Sequence, residues 1–243
     1  MDQTRSTMRR SARSTPAFTL IELLIVITVI GVLIALSVPA VAGARESGRQ
    51  LICLSHLRQV GAAVGLYAND HKDKVVSPNW YIPGDTRPGW LYTAPEPVST
   101  SDWTEDLRTT GALWRYLESA QTYRCPTDRG PWDRSSMLTS YLFNGALAGF
   151  PLAMRENRTY TVDRFRPDAV IAFEHRGRDW NDGASQPDEI LNTRHGKGNV
   201  ILCIDGHTEW MPRHVSLEML FAGGASRLWC QPDHPQGGSR GPG

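Results

Sequence analysis

Hydrophobic positions change character along this chain. From Phe18 to Val41 they run almost without a break, and Glu22 is the single charged residue among them. A helix covers the hydrocarbon core of a bilayer with roughly 20 residues, so this run is long enough to span it. From Ala42 the charges return as Arg45, Glu46 and Arg49. The apolar positions then become periodic. Cys53, Leu57, Val60, Val64 and Tyr67 recur at three- and four-residue intervals, which is one face of a helix. Arg49, His56, Gln59 and Ala63 fall off that face. The pattern predicts one nearly continuous helix from about Thr19 to about Asn69, roughly 75 Å long at 1.5 Å per residue. Its first half is apolar all round and its second half is amphipathic.

The C-terminal half carries a different pattern. Ala169 to Glu174 and Val200 to Ile204 are short apolar runs with β-branched residues, which read as strands. Asp205-Gly206 follows the second run, and His207 to Met211 forms a return strand. D-G between two such runs signals a hairpin, because Gly accepts positive φ. The expected fold class is therefore α+β. A long N-terminal helix packs through its amphipathic half on a C-terminal antiparallel sheet. Between the two, residues 69–74 (N-D-H-K-D-K) read as a solvated turn. Residues 75–104, rich in Pro, Gly and Trp, read as irregular structure with packed aromatics. Leu107 to Leu117 has helical spacing, and the Y-R-C-P-T-D turn after it is expected to hold Cys125 near the surface.

Charge gives the apolar run a direction. Residues 1–17 contain Arg5, Arg9, Arg10 and Arg13 against Asp2. Basic flanks stay cytoplasmic, so the large domain is expected on the far side of the membrane. A secretory signal peptide would have a shorter core with its small residues after it. Here the core is long and the small residue, Ala17, precedes it.

A basic leader, F-T-L-I-E-L-L and an apolar run with Pro39 near its end resemble the type IV pilins and type II secretion pseudopilins. That resemblance covers about the first 70 residues. It implies a pilin-like fold and a single-pass protein of the bacterial inner membrane, N-terminus in the cytoplasm and C-terminal domain outside it. It also implies that a prepilin peptidase cuts between Ala17 and Phe18 and that the new Phe18 amine is methylated. The usual residue before the cut is Gly, and Ala17 with Pro16 departs from this. Glu22 becomes the fifth mature residue. In the family this acid neutralises the amine of a neighbouring subunit as pilin-like subunits pack through their N-terminal helices. Pro39 lies where such helices bend; a proline closing an isolated span is the alternative. The segments are then leader 1–17, assembly helix 18–41, its amphipathic continuation 42–70, extracytoplasmic domain 71–231 and a disordered Gly/Pro-rich tail 232–243.

Composition narrows the rest. Of 243 residues, about 200 lie beyond the leader and apolar run, enough for one domain with a real core. A net charge of +1 gives no reason to expect nucleic acid as a partner. Eight Trp and sixteen Pro favour a loop-rich body over a plain helical bundle. Cys53, Cys125, Cys203 and Cys230 form no C-x-x-C pair, so a zinc site of the usual spacing is not expected. In an extracytoplasmic domain these four are disulfide candidates.

Some spacings invite chemistry. His195, Asp205 and Gly206 make an H-x9-D-G pattern that resembles a group of large-bodied, processing-associated prepilin-like proteins. As plain structure, Asp205 and Gly206 form the turn and His195 serves a loop. As chemistry, His195, Asp205, His207 and Glu209 would form a metal or catalytic site. Asp179, Asn181, Asp182, Asp188 and Glu189 cluster as hard oxygen ligands for calcium, without the EF-hand order; a solvated acidic turn is the alternative. No P-loop and no H-E-x-x-H occurs. The expectation is a non-enzymatic, cofactor-free filament subunit. Its rivals are an anchored binding or enzymatic domain that never polymerises, and a secreted protein that loses the apolar run.

Overall fold

The computed structural model describes residues 19–79, 88–93, 103–148, 160–175, 183–188, 193–234 and 237–238. The chain divides into two compact units, Met1–Arg45 and Glu46–Gly243.

Helix α1 runs from Leu20 to Asp70, 51 residues, as the hydrophobic pattern predicts. Its start is capped from both sides. Thr19 Oγ1 accepts the Glu22 N–H at 3.3 Å, and Glu22 Oε2 accepts the Thr19 N–H at 2.9 Å. This reciprocal T-x-x-E arrangement satisfies two donors that a helix start otherwise leaves open. Pro39 lies inside α1 and the helix continues on both sides of it. Having no N–H, Pro39 leaves the Ala35 carbonyl without its helical donor. In the first unit the apolar side chains from Leu20 to Val41 face outward.

In the second unit α1 buries Cys53, Leu57, Val60, Gly61, Ala63, Val64 and Ala68. Ala63, expected off the face, belongs to it. The stripe is wide enough to take the i+3 neighbour of Val60. Lys72 and Asp73, at φ 58° and 60°, turn the chain away after Asp70.

The helix expected over 107–117 is broken. A 3-10 segment covers Glu105–Thr110, and α2 is the single turn Trp114–Leu117. Gly111 between them is extended, and Glu118 stops α2 at φ 46°. Cys125, expected near the surface, is fully buried.

The sheet contains β1 (Tyr141–Asn144), β2 (Val170–Glu174), β3 (Ala184–Ser185), β4 (Gly198–Cys203) and β5 (Thr208–Pro212), in the order β3-β1-β2-β4-β5. It is antiparallel from β1 through β5, as expected, but β3 pairs with β1 in parallel, so the sheet is mixed. The edges are thus a two-residue strand and a strand ending at Pro212. Helix α3 (Arg213–Phe221) follows directly.

Both sheet faces are covered, which is why β1, β2 and β4 read as continuous apolar runs. Val200, Leu202, Phe143 and Ile171 join the α1 stripe in the larger core. Leu142, Val170, Phe173, Ile201 and Cys203 meet Leu220 and Trp229 on the other side. A register shift between Val170 and Ala172 places Val170 and Phe173 on the same face, so that Glu174 returns to the α1 side.

Gly206 carries the hairpin turn at φ 88°. A Cβ on Gly61 would stand 2.8 Å from Leu202 Cδ1 and 3.3 Å from Gly206 Cα, so α1 comes down on the hairpin where it has no side chain. Gly61→Val is expected to cost about 1–3 kcal/mol through overpacking, read as a lowered melting temperature.

The expected disordered tail begins in ordered structure. Gln231 N–H donates to the Gly237 carbonyl at 3.1 Å, and Gly237 N–H to that of His234 at 2.8 Å.

Candidate functional site

Four distant segments deliver polar side chains into the α1-facing core. Cys53 comes from α1, Cys125 from the turn after Tyr123, Glu174 from the end of β2, and His195 from the turn that opens β4. All four are buried, and their ligand atoms lie within 4.8 Å of one another. His195 Nε2 is the common point. It lies 3.2 Å from Glu174 Oε1 and 3.3 Å from the Sγ atoms of both Cys125 and Cys53. Its other nitrogen, Nδ1, lies 2.9 Å from Glu46 Oε1 on α1.

The surroundings fix each member. Glu174 Oε2 accepts the Val200 N–H at 3.1 Å, which ties the carboxylate to β4. In C-P-T-D, Asp128 N–H donates to the Cys125 carbonyl at 2.9 Å and closes the turn. Cys125 N–H donates to Ser140 Oγ at 3.0 Å, and that hydroxyl donates to Asp128 Oδ2 at 2.6 Å. Asp128 pairs with Arg194 at 2.9 Å, so the Cys125 turn is coupled to the residue before His195. Trp210 Nε1–H donates to the His195 carbonyl at 3.1 Å.

Electrostatics separate the thiols. The hydrogen bond to Cys125, with burial behind it, pushes the Cys53 thiol far above its ordinary range. Burial also acts to raise Cys125, but bonds from Cys53 and His195 outweigh it and bring that thiol down to about 7. For His195, burial works against the charged ring, and bonds to Cys125 and Glu174 overcome it and lift the group to about 10. The cluster thus favours a thiolate at Cys125. Sulfur, nitrogen and carboxylate oxygen converging in this way make a donor set for a small divalent cation.

Sequence spacing places the chemistry elsewhere. His195 stands apart from Asp205, His207 and Glu209, while the ligand atoms of His207 and Glu209 lie with that of Cys203 within 4.8 Å of one another. Asp205 Oδ1 accepts the His207 N–H at 3.0 Å in the exposed hairpin turn. Glu209 pairs with Arg227, whose guanidinium also lies 3.3 Å from Cys203 Sγ. A cation already occupies the charge of that group. Gly206 and Asp205 therefore act as the turn. Of the calcium candidates, Asp179, Asn181, Asp182 and Glu189 lie outside the described residues, and Asp188 is half-buried. The four cysteines are free thiols, all buried. Burial pushes Cys203 up to about 11 and Cys230 up to about 12.

Motif spacing does not point to Glu174. Its signal was available as the one charge closing the apolar strand A-V-I-A-F-E.

At the N-terminal end, Ala17 and Phe18 lie outside the described residues, and Glu22 is exposed on α1 with Thr19 as its partner. Helix α1 is long and apolar enough to cross a membrane. No curated protein and no solved structure matches the chain. Residues 13–38 match the family described as the prokaryotic N-terminal methylation motif. That match spans the basic residue Arg13, the Ala17–Phe18 junction, Glu22 and the apolar run up to Val38. This N-terminal segment supports a prepilin-type, type IV pilin-like protein, and among the described residues α1 is the one helix long and apolar enough to suit a membrane anchor.

Proposed function

We propose that the chain is a structural subunit of a type IV pilus-like or type II secretion pseudopilus filament. It resides in the bacterial inner membrane with its N-terminus in the cytoplasm and the Glu46–Gly243 unit on the opposite side. A prepilin peptidase removes residues 1–17, Phe18 becomes the methylated N-terminus, and other pilin-like subunits pack against the apolar part of α1. The protein works by association and not by turnover. The observation carrying this reading is the methylation-motif match over residues 13–38, with Glu22 the one acid in an otherwise apolar helical run. An unpaired acid in hydrocarbon is costly and seeks a positive partner, and cleavage at Phe18 creates one on every copy.

The test is processing of the full chain expressed with a prepilin peptidase, followed by N-terminal sequencing and intact mass. The expected mature chain begins at methylated Phe18. A chain that keeps its arginine-rich leader, or begins after Ala40 or Ala42, overturns the proposal.

A second reading is an anchored domain that never polymerises. It draws on the bonds of Glu22 to Thr19, which give the acid a partner within its own chain.

A further inference from the structure

We infer that Cys53, Cys125, Glu174 and His195 form a structural zinc site that fastens the buried part of α1 to the sheet. Geometry is the first ground. Zinc bonds of about 2.0–2.3 Å to nitrogen, oxygen and sulfur give tetrahedral edges of about 3.3–3.8 Å. The three edges at His195 Nε2 measure 3.2, 3.3 and 3.3 Å, close to that range. Slight outward relaxation of the side chains opens the centre for the ion.

The second ground is independent and lies one shell out. A metal-bound imidazole coordinates through one nitrogen and gives the N–H of the other to a carboxylate or carbonyl. His195 presents Nε2 to the cluster and Nδ1 to Glu46 at 2.9 Å, so the same ring orientation serves both. Glu174 shows the same division, with Oε1 toward the cluster and Oε2 held by the Val200 N–H.

A third ground is charge. Glu174 and His195 are buried against two thiols, where every charge needs a compensating partner. On binding, Zn²⁺ displaces to solvent the Cys53 thiol proton and the proton held between Cys125 and His195. It then faces two thiolates, one carboxylate and a neutral imidazole, all supplied by the protein. Four protein ligands close the tetrahedron, and with no open position the site is structural and not hydrolytic. The competing group Cys203, His207 and Glu209 lacks this logic, because Arg227 lies on both Cys203 and Glu209.

The site gives meaning to the spacing from His195 to Gly206. Cys53, Leu57 and Gly61 lie one helical turn apart along one face of α1. His195 meets that face at Cys53, and Gly206 meets it at Gly61. Both ends of β4 are thereby docked on the same helix.

The test uses the full chain in detergent. Purified and dialysed protein is expected to hold about one zinc per chain by elemental analysis, as a closed four-ligand site requires. Exchange with Co²⁺ should give thiolate-to-cobalt charge-transfer absorption together with tetrahedral visible bands. This readout needs no substitution and so does not depend on a variant folding. His195→Ala and Cys125→Ser should lose the metal, while Cys203→Ala keeps it. Chelation should lower the melting temperature of the parent chain, and added zinc should restore it. A metal-free chain carrying a Cys53–Cys125 disulfide overturns the inference. So does a cobalt spectrum without thiolate bands, or zinc retained by both ligand variants.

Discussion

Glu22→Gln should be cleaved and methylated like the parent chain, yet enter filaments about tenfold or more less well. The substitution separates the helix-capping role seen in the structure from the proposed charge-pairing role. As a capping residue, Glu22 bonds to the Thr19 N–H and hydroxyl at 2.9 and 2.7 Å. Gln accepts the same bonds, since capping boxes use either residue. As the partner of a neighbour's amine, only the charged acid serves. In a low-dielectric bilayer a cation without its counter-charge is strongly disfavoured, and the amide supplies dipole without charge. Glu22→Ala removes both roles and should be at least as defective. The measurement is the fraction of processed subunit in sheared filaments against the fraction left in the membrane. If Glu22→Gln assembles like the parent and Glu22→Ala does not, the acid is a helix cap and the charge-pairing role fails.

Trp90→Ala should destabilise the Glu46–Gly243 unit by about 3–5 kcal/mol, the usual cost of emptying a large aromatic site. For a unit of this size that corresponds to a fall of about 6–20 °C in melting temperature. Trp90 is fully buried and stacks on Phe143 with ring centroids 4.4 Å apart. Its Nε1–H donates to the Gly183 carbonyl at 2.8 Å, so it holds the β3 edge as well as the core. Trp90→Phe should cost only about 1–2 kcal/mol. The Phe143 N–H still reaches Gly183 O at 3.0 Å, so that carbonyl is not stranded. Calorimetry on the two variants checks the ranking. Equal melting temperatures for Trp90→Ala and the parent would show that the loop bearing Trp90 is not part of the cooperative unit.

Sequence pattern revealed the elements whose signals are local. The bounds of α1 follow from apolar periodicity, and the β4–β5 hairpin follows from V-I-L-C-I-D-G. The buried cluster left no such trace, because Cys53 and His195 are 142 positions apart and bond through the fold alone. Absence of a C-x-x-C pair argued against zinc only for ligands that share a turn. Cys125 looked superficial because C-P-T-D is a turn sequence, yet Ser140 and Asp128 fold that turn inward. The break at Gly111 was equally hard to read. Leu113, Trp114 and Leu117 keep helical spacing although the chain is extended at Gly111, just before them.

The sheet's borders bear on how copies of this protein can meet. Ladder growth from one molecule to the next needs a long, flat margin of free amides and carbonyls. Here one border is the two residues of β3, and the other runs out at Pro212, which has no N–H to give. Neither margin is a template for continuous intermolecular pairing. Crowding many such bodies side by side therefore carries little risk of amyloid-like fusion.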